Sequence, residues 1–238
     1  MRLKVIACDV LARELYECAS ISRTIIDIEL LDSTYHEKPE SLHSLLQKKI
    51  DEQEGYDYLL IGFGLCGKVL NNLKSRDIPL VIPKAHDCIT LFMGNREKYE
   101  RYFIDNPGTM FYPECWSERK GLLNERKELE SIGLDKSFAE YEEKYGKEMA
   151  QYIYETLGDW KSKYSKALYL YNKNMGKPYS EDIKKICKER NWEYREEIID
   201  NSLLRKLLNM EWNEKEFLVV EKNRTVSQSI GQQLIEYK

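Results

Sequence analysis

No apolar run in the sequence exceeds about eight residues, too short to cross the hydrocarbon core of a bilayer. Charge of a single sign is also missing. Forty-one acidic residues stand against 37 lysines and arginines, for a net charge of −4, and the two signs are interspersed. No basic patch of the kind that grips nucleic acid stands out. The opening stretch, MRLKVIACDV, has one strand-like apolar segment and lacks the core of a signal peptide. Gly/Ser-rich linkers, low-complexity tracts and internal repeats are absent as well. The glycines of GFGLCG are not GxGxxG in register and no Walker lysine follows them, so they make only a weak phosphate loop. These absences lead us to expect a soluble, cytoplasmic protein that binds a small-molecule substrate, with no nucleic-acid or membrane partner.

A chain of 238 residues is enough for one large α/β domain or two small lobes, and it can bury a substantial core without disulfides. Six cysteines are present: Cys8, Cys18, Cys66, Cys88, Cys115 and Cys187. In a reducing compartment each is either a small buried hydrophobe or a chemical group.

Strand-like and helix-like segments alternate along the chain. LKVIA, TIIDIELLD, YDYLLIGFG, PLVIP and TMFYP read as strands, separated by helical stretches at LARELYECA, PESLHSLLQKKIDEQ, VLNNLKS and DCITLFMGNREKYERYFIDN. KALYLYN, WEYREEI and EFLVVEK read as later strands around the helices YSEDIKKICKERN and NSLLRKLLNM. The expected class is α/β: a mainly parallel sheet with helices on both faces, as two Rossmann-like lobes plus a helical insertion. The expected boundaries are an N-terminal α/β lobe over 1–116, a helical segment over 117–164 and a smaller α/β lobe over 165–238. The Tyr and Trp stripe of 117–164 has helical spacing and reads as a packing face rather than a stacking platform.

Cys8, Cys66 and Cys88 each fall between a strand and the next helix, the edge at which open parallel sheets bind ligands. If the first, third and fourth strands are neighbours, these ends lie within about 10 Å of one another. Cys66 and Cys88 also fall near predicted helix starts, where unpaired N–H groups favour a thiolate. His86, two residues before Cys88, suits zinc held by sulfur and nitrogen. Three cysteines on separate loops suit equally three irons of a [4Fe–4S] cluster with the fourth iron open. Gly64 and Gly67 leave room for a cofactor or substrate. Asp87 reads first as a helix N-cap; with His86 and His36 it is also a candidate for acid–base work. His43 reads as solvated. Cys18 and Cys187 belong on apolar helix faces, and Cys115, in PECW, is ambiguous.

The segments IACDV, YDYLLIGFGLCG, PLVIPKAHDCITLFMG, NPGTMFY and FLVVE resemble an uncharacterised prokaryotic family, a domain of unknown function common in methanogens and anaerobic acetogens. The family pattern falls on Cys8, His36, Gly64, Cys66, Gly67, His86, Asp87, Cys88, Pro107, Gly108 and Trp116, whereas Cys115 departs from it. Members occur alongside corrinoid methyltransferase systems. The resemblance therefore implies a role near one-carbon or methyl transfer, with a thiol or methyl donor as substrate and a corrinoid or corrinoid protein as a possible partner. Two other readings stand beside a metal- or iron–sulfur-dependent protein. One is a non-catalytic module for a corrinoid or small metabolite. The other is a metal-free cysteine enzyme with His86 as base.

Overall fold

The computed structural model describes residues 1–37, 39–65, 69–120, 138–157, 164–228 and 234–238. The chain divides into two compact units, Met1–Tyr102 with Ile199–Lys238, and Phe103–Ile198. The fold is α/β with mainly parallel strands.

In the first unit, β1 (Arg2–Cys8), β2 (Ile25–Leu31), β3 (Tyr58–Gly62), β4 (Leu80–Pro83) and a late strand, Phe217–Val220, form one sheet. Its order is β2-β1-β3-β4 followed by the late strand. The first four are parallel, and the late strand runs antiparallel to β4. β1, β3 and β4 occupy the middle of the sheet. Leu3, Val5, Ile6, Leu59, Leu60, Ile61, Leu80, Val81 and Ile82 are buried, so both faces of these strands are covered and their sequences are continuously apolar. Edge strand β2 is only half-buried and carries charged residues.

α1 (Ala12–Ser20) and α2 (Pro39–Asp51) follow β1 and β2 as the sequence leads one to expect. Two stretches differ. VLNNLKS is a series of turns, not a helix. Asn72 takes a left-handed φ of 65° there, and its neighbours pair with a distant segment: Asn72 N donates to Val226 O at 2.8 Å and Val226 N to Leu73 O at 2.8 Å. Those long-range bonds replace the helical ladder. The stretch after Asp87 is two helices, α3 (Cys88–Phe92) and α4 (Arg96–Asp105), not one. Gly94 sits between them at φ 80°, and Asn95 Oδ1 caps α4 by accepting from Lys98 N at 2.7 Å.

In the second unit β5 (Thr109–Pro113), β6 (Lys166–Tyr171) and β7 (Glu193–Ile198) form a parallel sheet in the order β5-β6-β7. Thus β5, expected as the last strand of the first lobe, lies beside β6. The helices of this unit are α5 (Glu114–Lys120), α6 (Phe138–Tyr145), α7 (Lys147–Leu157) and α8 (Ser180–Arg190). Its core includes Tyr112, Ala167, Tyr169, Ile183, Cys187 and Trp192. The aromatic stripe of the helical segment packs only in part. Tyr141 and Ala150 are buried, whereas Tyr145, Met149 and Tyr152 are exposed.

The chain closes in the first unit with α9 (Ser202–Leu208), the late strand β8 (Phe217–Val220), and a hairpin of β9 (Val226–Gln228) and β10 (Ile235–Tyr237). Among the described residues no helix is long and apolar enough to cross a membrane.

Candidate functional site

The strand order brings together the ends that the cysteine pattern marks. β1, β3 and β4 are successive neighbours. Ala7 pairs with Gly62, and Leu60 with Val81, so the three strands end at about the same level. With about 4.8 Å between adjacent strands, the ends of β1 and β4 lie roughly 10 Å apart.

Cys8 is the last residue of β1 and is buried. Its Sγ lies 3.9 Å from Asp9 Oδ1, and the same oxygen accepts from Ser33 N at 3.0 Å. Cys88 opens α3 and is half-buried. Cys66 and Gly67 lie outside the described residues, but the chain leading to them is placed closely. Leu65 N donates to Ala85 O at 3.0 Å. A Cβ built on Gly64 would sit 2.5 Å from Asp87 Cα, and one on Gly62 would sit 2.4 Å from Ala7 Cβ. Only glycine permits this approach. The loop after β3 is therefore laid against the backbone of KAHDC, one residue before Cys66. On the far side, His43 is not merely solvated: its Nδ1 donates to Val69 O at 2.8 Å, tying α2 to the same loop.

Asp87 is the N-cap of α3. Its Oδ1 accepts from Thr90 N at 3.1 Å and from Thr90 Oγ1 at 3.3 Å, while Oδ2 accepts from Tyr99 OH at 2.9 Å. Asp87 thus caps α3 as its position in the sequence leads one to expect, and Tyr99 of α4 is an added partner. Asp87→Ala should cost about 1–2 kcal/mol through the lost cap, read as a lower urea midpoint with unchanged slope.

His86 Nε2 is 3.1 Å from Glu100 Oε1, which also accepts from Arg96 Nε at 2.6 Å. Burial pushes the Glu100 carboxyl up, but the hydrogen bonds from Arg96 and His86 outweigh it and hold the group below the usual carboxylate range. With Nε2 engaged, Nδ1 is the ring nitrogen left for a ligand, as in carboxylate–histidine–metal arrangements. Arg96, Tyr99 and Glu100 went unnoticed in the sequence. Their spacings of three and four on one helix were visible, but MGN had to be read as a break before α4 could be oriented.

His36 lies in a short 3-10 turn, Ser33–Glu37, after β2; its side chain is outside the described set. Cys115 is buried in the first turn of α5 in the second unit. Cys18 and Cys187 are core residues, as expected. Burial pushes the Cys18 thiol up to about 12 and raises that of Cys187 as well. At pH 8 the thiolate fraction of Cys18 is then on the order of 10⁻⁴. Iodoacetamide treatment of native protein at that pH should leave Cys18 and Cys187 unmodified by peptide mass spectrometry, and both should react after unfolding.

Among the described residues no three His, Cys, Asp or Glu side chains gather as a metal-holding group. The described part of the thiol set is Cys8, at the end of β1, and Cys88, at the start of α3 after β4, with β3 lying between the two strands.

Beside this loop, a cavity of about 1260 Å³ opens between the start of α4 and residues 213–216. Its walls are charged residues together with Asn, Ser and Gly, without an aromatic or aliphatic side chain. Glu100 belongs to both the wall and the His86 contact. Three ion pairs cross the wall: Arg96–Glu100, Lys206–Glu216 at 2.7 Å, and Lys215–Glu97.

A family model described as "Protein of unknown function (DUF1638)" matches residues 30–208, more than half of the chain. No curated protein and no solved structure matches it.

Proposed function

We propose, for a chain that belongs to the DUF1638 family of proteins of unknown function, a metal- or iron–sulfur-dependent role in anaerobic one-carbon or methyl-transfer metabolism. The site is built from Cys8, Cys66, Cys88 and His86. One observation carries the reading: the strands that these cysteines end or follow are successive neighbours, and Gly64 presses the loop before Cys66 onto the Asp87 backbone. The metabolic setting comes from the resemblance noted in the sequence.

By type the donors fit two groups, although Cys8, His86 and Cys88, all described, do not gather as three around one point. Three cysteines with one imidazole suit zinc, and three cysteines alone suit a [4Fe–4S] cluster with one iron open. When bound, zinc would make an incoming thiol a thiolate at neutral pH, whereas a cluster would offer its fourth iron to a substrate. This chain's own residues do the rest. Glu100, braced by Arg96, fixes the orientation of the His86 ring. Asp87, held by Thr90 and Tyr99, keeps the start of α3 and thus Cys88 in place. Glycine at 64 brings the two loops into contact.

The test is elemental analysis and the visible spectrum of anaerobically purified protein. Zinc near one equivalent in a colourless sample, or iron with broad absorption near 400 nm, agrees with the proposal. Each signal should be lost in Cys66→Ala with Cys88→Ala. Protein containing neither metal would discard the proposal and turn attention to a metal-free thiol.

A further inference from the structure

We propose that the cavity beside His86 binds a small zwitterion, a molecule carrying a carboxylate and an ammonium group a few ångströms apart. The walls exclude apolar ligands, because no aromatic or aliphatic side chain faces the space. The three ion pairs that cross the wall satisfy six of its charges mutually. Two further charges differ. The Lys84 ammonium donates to the main-chain oxygen of Glu214 at 2.7 Å, and no carboxylate among the described residues pairs with it. The Glu214 side chain meets no cation among the described residues either, although both residues line the same space. A backbone carbonyl orients an ammonium without cancelling its charge.

Lys84 and Glu214 are thus a cation and an anion left over at one cavity, brought together by the lysine's own bond to the glutamate backbone. An anion placed there satisfies Lys84 but adds repulsion from Glu214, and a simple cation does the reverse. A zwitterion satisfies both without breaking the existing pairs. Lys84 directly follows β4 and stands two residues before His86, so the ligand would lie on the same edge of the sheet as the thiols. Assigning it as substrate rests on the function proposed above; its binding does not.

The experiment uses the full chain and three probes: glycine, acetate and methylammonium. Each is titrated separately while the backbone amide signals near Lys84, Gly94 and Ser202 are followed by NMR. Glycine should bind saturably and at least about tenfold more tightly than either half-molecule. Lys84→Gln and Glu214→Gln should each weaken glycine about tenfold while the amide spectrum stays that of the folded protein. Acetate or methylammonium binding as tightly as glycine overturns the proposal. So does the absence of saturable shifts with all three probes, or glycine affinity unchanged in both variants. Metal content of the same samples separates the two readings. Glycine binding in metal-free wild type would discard the thiol site alone, and metal-replete protein blind to glycine would discard the zwitterion site alone.

Discussion

Gly64→Ala will lower the stability of this protein by about 3 kcal/mol and its Tm by roughly 10 °C, a larger effect than one added methyl group usually produces. The new Cβ would lie 2.5, 2.7 and 2.8 Å from Cα, C and N of Asp87. All three are backbone atoms, so no side chain can rotate away. Either the loop after β3 or the loop after β4 must move. Moving the first breaks the Leu65–Ala85 hydrogen bond. Moving the second disturbs Asp87, which caps α3 and accepts from Tyr99. In both cases the loop leading to Cys66 separates from the one carrying Cys88, so the proposed metal site predicts that metal content falls together with Tm. Calorimetry and elemental analysis of one preparation read both. A Tm within a degree or two of wild type would mean that the two loops are not pressed together as described.

The second large effect belongs to the other unit. Glu114, the first residue of α5 just past β5, is fully buried, and its Oε2 accepts from Asn172 N, just past β6, at 2.6 Å. Burial pushes the neighbouring Tyr169 phenol above its usual range, and proximity to the Glu114 carboxyl adds to that shift. A single carboxyl thus ties the exits of two parallel strands together. Glu114→Ala leaves the Asn172 N–H without this acceptor in a buried place, at a cost of about 3 kcal/mol. Glu114→Gln keeps a carbonyl acceptor and should cost about 1 kcal/mol. Urea unfolding followed by tyrosine fluorescence compares the two. Equal losses would show that the acceptor at this position is not what matters.

Much of the scaffold was legible in the residues because period and composition are local signals. IPLVIP and YLLIG are continuously apolar, as strands covered on both faces must be. For the same reason Cys8 could be placed at the end of a strand and Cys88 between a strand and the next helix, while Cys66 lies outside the described residues. What escaped was set by distant partners. Asn72 and Leu73 form turns because Val226 bonds them across more than 150 residues. FLVV was read as a third strand of the late lobe, but it returns to lie antiparallel beside β4 in the first unit. An apolar run shows that it will be buried, not which sheet will bury it. The Arg96–Glu100–His86 chain is hidden for a more local reason: Gly94 and Asn95 sit inside a stretch whose apolar spacing suits one long helix. Both are the residue types that end one helix and begin another.

The central claim is that sulfurs at and just beyond the ends of β1, β3 and β4 reach one metal. Metal-edge X-ray absorption on anaerobically purified protein counts those sulfurs directly. For zinc, about three sulfur neighbours at roughly 2.3 Å, with one fewer in each of Cys8→Ala, Cys66→Ala and Cys88→Ala, is the expected result; for a cluster, whose irons carry sulfides besides the thiolates, sulfur-dominated iron whose content falls in each of the three variants is expected. A bound metal surrounded only by nitrogen and oxygen, or metal content and sulfur environment that none of the three substitutions changes, would contradict it.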